Sequence, residues 1–135
     1  MNIRGNICVL ERFGGRVYLY THKKGLDTFA MLCGALLRCS NRWHDEQYLT
    51  RIVFCEMLKG EDLQGTADFG ISTFIGENDL PFFVVDTVNG RVLMEDGRCL
   101  ATCPCVGYAW TFEEFLKLEE DPRLTFLQVQ VEKKS

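Results

Sequence analysis

The stretch from Arg42 to Gly60, RWHDEQYLTRIVFCEMLKG, constrains the fold of this chain more than any other. It has a helix start signal at His44 or Asp45, a glycine stop at Gly60, and apolar residues around most of its circumference. A helix with so wide an apolar surface is expected to be wrapped by the rest of its domain. Stepping about 100° per residue from Tyr48, Glu56 falls between Ile52 and Leu49, and Arg51 between Leu58 and Cys55. Both charges therefore sit among apolar neighbours, which asks for a partner or a role.

The flanking segments supply a sheet. Ile3 to Leu10 and Arg16 to His22 read as strands joined by a turn at Gly14-Gly15. Period-two geometry puts Val17, Leu19 and Thr21 on one face of the second strand, and Tyr18, Tyr20 and His22 on the other. Asp27 or Thr28 caps a helix running to about Cys39, with Phe29, Leu32, Cys33, Leu36 and Leu37 as its buried stripe. Gly34 and Ala35 leave room on that helix for close approach. Gly70 to Ile75 reads as a strand. Phe82 to Val88 and Arg91 to Glu95 flank Asn89-Gly90, the pattern of a two-residue type I′ hairpin. Cys99 to Val106 is extended or irregular, and Pro104 keeps it off a central strand. Thr111 caps a helix over Phe112 to Leu118, with Glu114 completing a capping box. Phe112, Phe115 and Leu116 form its buried stripe, and the acids at 113, 114 and 119–121 are expected in solvent. Leu124 to Val131 is a last strand. The order β-β-α-α-β-β-β-α-β predicts a single α+β domain over residues 1–135. Its antiparallel sheet of about five to six strands would be covered by the two central helices.

At 135 residues and 47% hydrophobic content, such a domain buries a core without covalent staples. The seven cysteines are odd in number and spread through core segments, which points to reduced thiols in a cytosolic protein. The longest nearly apolar run, Phe29 to Leu37, is too short to cross a bilayer, and the first residues lack the apolar centre of a signal peptide. Residues 1–60 carry nine Lys/Arg against five Asp/Glu, whereas residues 61–135 carry six against fourteen. The acidic balance argues against generic nucleic-acid binding, which needs a basic field. It suits an acidic face meeting a basic protein partner.

Four groups of residues could carry chemistry. Glu56, if buried without a partner, would be held protonated like many general acids; the alternative is an ion pair with Arg51 of a neighbouring copy, Arg42 or a hairpin arginine. Tyr18, Tyr20 and His22, with Trp43 and His44, could form a stacking platform for a base or peptide, with Arg42, Lys23 and Lys24 as phosphate contacts. The alternative places that strand face under the helices. Cys99, Cys103 and Cys105 could supply three thiolates to zinc, with His22, His44 or another Cys as a fourth ligand, although the spacing is not the usual C-x2-C pair. Cys55 or Cys103 could pair with His44 as a nucleophile, a weak signal in a chain with this many cysteines. No P-loop, dinucleotide or Gly-x-Ser-x-Gly fingerprint is present.

The segments Val17-Tyr18-Leu19-Tyr20-Thr21-His22, Arg42 to Met57, Gly70-Ile71-Ser72-Thr73 and Val84-Val85-Asp86 resemble a family of small uncharacterised proteins from bacteria and mobile elements. The likeness covers roughly residues 3–88 and extends to Trp110–Phe115. The family pattern has Trp after the strand-end His, where this chain has Lys23. The resemblance carries no activity. It implies a mobile-element or phage setting and action on host machinery, including anti-defence roles. Taken together, the sequence is expected to encode a cytosolic protein-binding adaptor, with self-association as a homodimer in view. The alternative is a small enzyme or ligand-binding domain using Glu56, His22 and nearby aromatics.

Overall fold

Two apolar runs rich in β-branched and aromatic residues, closed by a glycine turn, begin the sheet. The computed structural model describes residues 3–61, 68–95 and 104–124, with 104–107 as backbone alone. Strands β1 (Gly5–Leu10) and β2 (Arg16–Thr21) pair antiparallel from Gly5↔Thr21 to Leu10↔Arg16. Gly14 turns the hairpin at φ 90°, a conformation that needs no Cβ. A short 3-10 turn at Gly25–Asp27 leads into α1 (Thr28–Arg38), then α2 (Glu46–Met57) and β3 (Phe69–Ser72). Strands β4 (Phe82–Asp86), β5 (Arg91–Glu95) and β6 (Pro104–Thr111) follow, and α3 (Phe112–Leu116) closes the described order.

The domain is α+β, and among the described residues six strands are ordered β3-β2-β1-β4-β5-β6. The sheet is mixed and not antiparallel throughout, because β1 and β4 run parallel in the register Ile7↔Phe83 to Leu10↔Asp86. The reason lies at the start of β1. Asp79 N–H donates to the Arg4 carbonyl at 3.0 Å, Arg4 Nη2 pairs with Asp79 at 2.9 Å, and Asn6 Nδ2 donates to Asn78 Oδ1 at 3.0 Å. These contacts anchor the segment before β4 beside the first residues of β1, so both strands leave from the same end. One strand more than expected precedes α3. Pro104 opens β6 opposite Glu95, at the edge of the sheet among the described residues, a position where a strand tolerates proline. Of the expected last strand, residues 125–131 lie outside the described residues.

One sheet face carries Ile7, Val9, Leu19, Phe83, Val85, Val92 and Met94, all packed against α1, α2 and α3. Four aromatic rings bind that interface: Phe115 meets Phe29, Phe83 and Trp110 edge to face at centroid distances of 5.2, 5.3 and 5.7 Å, and Phe29 lies tilted against Phe83 at 6.1 Å. The capping box at Thr111 and Glu114 is formed, and it starts α3 where its phenylalanines reach this layer.

α2 corrects the expectation of a wrapped helix. It begins at Glu46, with Asp45 Oδ1 accepting from Tyr48 N–H at 3.2 Å, and only Leu49, Ile52, Val53 and Met57 are buried. Phe54 and Leu58 are half-buried and Cys55 is exposed, so the helix is amphipathic and one-sided. Likewise, α1 buries Ala35 in place of Leu37, which is exposed. The β4–β5 connection is also longer than expected. Its closing pair is Asp86↔Arg91, which leaves a four-residue loop, because the Asp86 carboxylate accepts from Asn89 N–H and Nδ2 and fixes the turn earlier.

Candidate functional site

Glu56 sits in the buried arc of α2, as its helical angle predicts, with its side chain 10% exposed. Its partner is Arg38 of α1, whose Nη1 donates to Oε1 at 2.7 Å, and not Arg51, Arg42 or a hairpin arginine. The carboxylate lies over Gly34: a Cβ at that position would stand 3.0 Å from Oε2. The small residue on α1 therefore admits the Glu56 head group and not a backbone. Paired with a guanidinium, Glu56 is a clasp between the two helices.

The proposed aromatic platform does not assemble. Trp43 lies on the helical side, where its Nε1 donates to the Leu36 carbonyl at 2.8 Å and its ring meets Phe112 edge to face at 5.3 Å. It tethers the loop before α2 to the last turn of α1. Tyr18 and Tyr20 occupy the opposite sheet face, which no helix covers among the described residues. There Tyr18 packs against Phe82 at 6.3 Å, beside buried Cys8 and Val84. Arg16 crosses this face to a two-pronged pair with Glu95 at 2.7 and 3.1 Å, and burial pushes the Cys8 thiol up to about 12. Tyr20 lies flush against Gly76, where a Cβ would meet its ring at 2.7 Å, and its hydroxyl bonds His22 Nδ1 at 3.2 Å. His22 is exposed at the strand end. His44 is exposed in the turn before α2.

Cys99, Cys103 and the side chain of Cys105 lie outside the described residues. Among the described residues no group of His, Cys, Asp and Glu is placed to hold a metal ion. Cys55 is exposed on α2, while Cys8 and Cys39 are buried and Cys33 is half-buried. No helix among the described residues is long and apolar enough to cross a membrane.

Two surface features stand out once these groups are placed. The first is the outer edge of β3, where Ile71 is 60% and Phe74 82% exposed, with Ile75 exposed beside them. No further strand pairs with that edge among the described residues. The second is a stack centred on Tyr48, with Arg42 Cζ 4.5 Å and Arg51 Cζ 5.0 Å from its ring centroid. The spacing of Tyr48 and Arg51, three residues apart on a helix, could have flagged that stack in the sequence. Nothing in the sequence flagged buried Arg123, whose guanidinium lies 4.7 Å over Phe83 and binds Asp121. Asp121 is correspondingly not a solvent-facing acid.

Comparison with protein-family models, curated proteins and solved structures found no match to this chain.

Proposed function

We propose that this chain is a small protein-binding adaptor that takes up an extended segment of its partner along the outer edge of β3. The apolar edge carries the reading: Ile71 and Phe74 are 60% and 82% exposed beside a strand whose outer backbone groups lack a strand partner among the described residues. Strand addition satisfies those backbone groups and covers the side chains in one step. Burying an aromatic and an isoleucine contributes roughly 1.5–3 kcal/mol each. A soluble chain left with such an edge risks uncontrolled pairing, so a dedicated occupant gives the edge a purpose. The net acidity of residues 61–135, to which β3 belongs, favours basic residues flanking the incoming strand. The mobile-element resemblance would place that partner among host proteins, with anti-defence action as its outcome.

The enzyme alternative has less support. Glu56 is neutralised by Arg38 in the helical layer, whereas His22 is bonded to Tyr20 on the far side of the sheet. They share no site.

The test is affinity capture from bacterial lysate with the wild-type chain and the Ile71→Lys/Phe74→Ser variant, followed by hydrogen exchange on the recovered complex. A protein retained only by wild type, with new protection of the amides at 69–72, supports the reading. Retention that the variant does not weaken overturns it. A concentration-dependent doubling of mass that the variant abolishes would replace the foreign partner by a second copy paired across a two-fold axis.

A further inference from the structure

α1 and α2 meet at a loop that carries Arg42, and the first turn of α2 presents Tyr48 beside it. Arg51 follows one turn later on the same helix face. Both guanidinium groups lie over the Tyr48 ring, so their charges are separated by no more than the two centroid distances of 4.5 and 5.0 Å added together. Both side chains are exposed, and neither has a carboxylate partner among the described residues. The nearby acids are engaged elsewhere. Asp45 caps the N-terminus of α2 through Tyr48 N–H at 3.2 Å, and Glu56 is held by Arg38 at 2.7 Å. The two guanidinium groups are thus held against one ring with no carboxylate on either, which leaves both forks open to an anion.

We propose that Arg42 and Arg51, held on Tyr48, form a binding site for a phosphate monoester. Each guanidinium is a planar fork that takes two oxygens, and two forks exceed what one carboxylate can fill. A phosphate monoester offers three oxygens and nearly two negative charges, enough for both forks. The ring acts as a positioning surface: it orders two flexible side chains before the anion arrives, which lowers the entropic cost of binding. This site lies in the helical layer and is independent of the β3 edge.

The test is a titration of the isotopically labelled full chain with inorganic phosphate and, separately, with a phosphoserine tripeptide, followed by NMR of the arginine side chains at constant ionic strength. Saturable shifts confined to Arg42, Tyr48 and Arg51 are expected, tightening for the phosphoserine tripeptide as pH rises through about 6, where a phosphate monoester takes its second charge. Arg42→Gln and Arg51→Gln should each weaken binding about tenfold. Tyr48→Phe should leave it unchanged because the ring remains, and Tyr48→Leu should weaken it. Preference for the tripeptide would assign the source as a phosphorylated protein, and equal affinity would assign a free phosphate. The proposal fails if the response does not saturate, if chloride produces the same shifts, or if the Arg42→Gln/Arg51→Gln double variant binds like wild type.

Discussion

Arg123→Ala should be among the most damaging single substitutions in this chain, although Arg123 belongs to neither candidate surface. Arg123 is 1% exposed. Its Nε and Nη2 donate to the two Asp121 oxygens at 3.0 and 2.7 Å, and its Nη1 donates to the Pro81 carbonyl at 3.3 Å. Truncation strands a largely buried carboxylate and a carbonyl, and it removes the cation from the Phe83 face. Breaking one side of a buried pair costs about 3–5 kcal/mol, and the slight exposure of Asp121 favours the lower part of that range. A loss of about 3–4 kcal/mol corresponds to a fall of about 10–15 °C in Tm for a domain of this size. Arg123→Lys should recover less than half, since one ammonium cannot reach the carboxylate and the carbonyl while stacking on Phe83. Urea unfolding of Arg123→Ala, Asp121→Asn and the double variant gives the coupling, expected at about 1.5–3 kcal/mol. A loss below about 1 kcal/mol for Arg123→Ala, or a coupling near zero, would refute the reasoning.

Two further outcomes follow from the titrating groups. Burial pushes the Asp86 carboxyl up, but bonds from the Asn89 side chain, the Asn89 amide and Arg91 overcome it and hold its pKa below the usual 3.8. The stability it contributes is therefore complete above that value and lost as pH falls through the folded pKa. Asp86→Asn should flatten the acid limb of urea midpoints measured from about pH 5 to pH 2, and an unchanged limb would exclude Asp86 as its source. Thiol labelling near pH 8 should mark exposed Cys55 at least about 100-fold faster than Cys8, whose thiol burial pushes up to about 12, or Cys33, pushed up to about 11. Peptide mapping reads the rates, and equal labelling of Cys8 and Cys55 would contradict the burial of β1.

Local signals in the sequence were read well where the physics is local. The hairpin at Gly14, the cap at Asp45, the capping box at Thr111 and the inward angle of Glu56 all depend on residues within one or two turns of each other. What the sequence concealed was pairing at a distance. Period-two alternation sorts Tyr18 from Leu19 but does not name the neighbour of β1, so the parallel β4 went unforeseen. The same gap joined Trp43 to Tyr18 and Tyr20, residues that the sheet itself separates. Arg123 was hidden for a related reason: an arginine in an acidic tail reads as solvated until a phenylalanine and a carbonyl from distant segments meet it. Of the residues around Tyr48, the sequence offered Arg42 as a phosphate contact and Arg51 as an ion-pair partner of Glu56, and it is Arg38 that Glu56 pairs with.

Because β1 and β4 lie side by side while β2, both long helices and β3 intervene in the chain, the sheet cannot be completed early in synthesis. Closing so long a loop loses entropy before any hydrogen bond between these strands forms. Until Phe82–Asp86 has emerged and docked, one edge of β1 stays open, with Ile7, Cys8 and Val9 carrying apolar side chains on both faces. Such an edge pairs readily with the wrong strand. The first 80 residues are thus no independent module: they hold a hairpin and two helices, of which α2 has a side-chain N-cap and α1 has none, but the strand that makes them a domain comes after them.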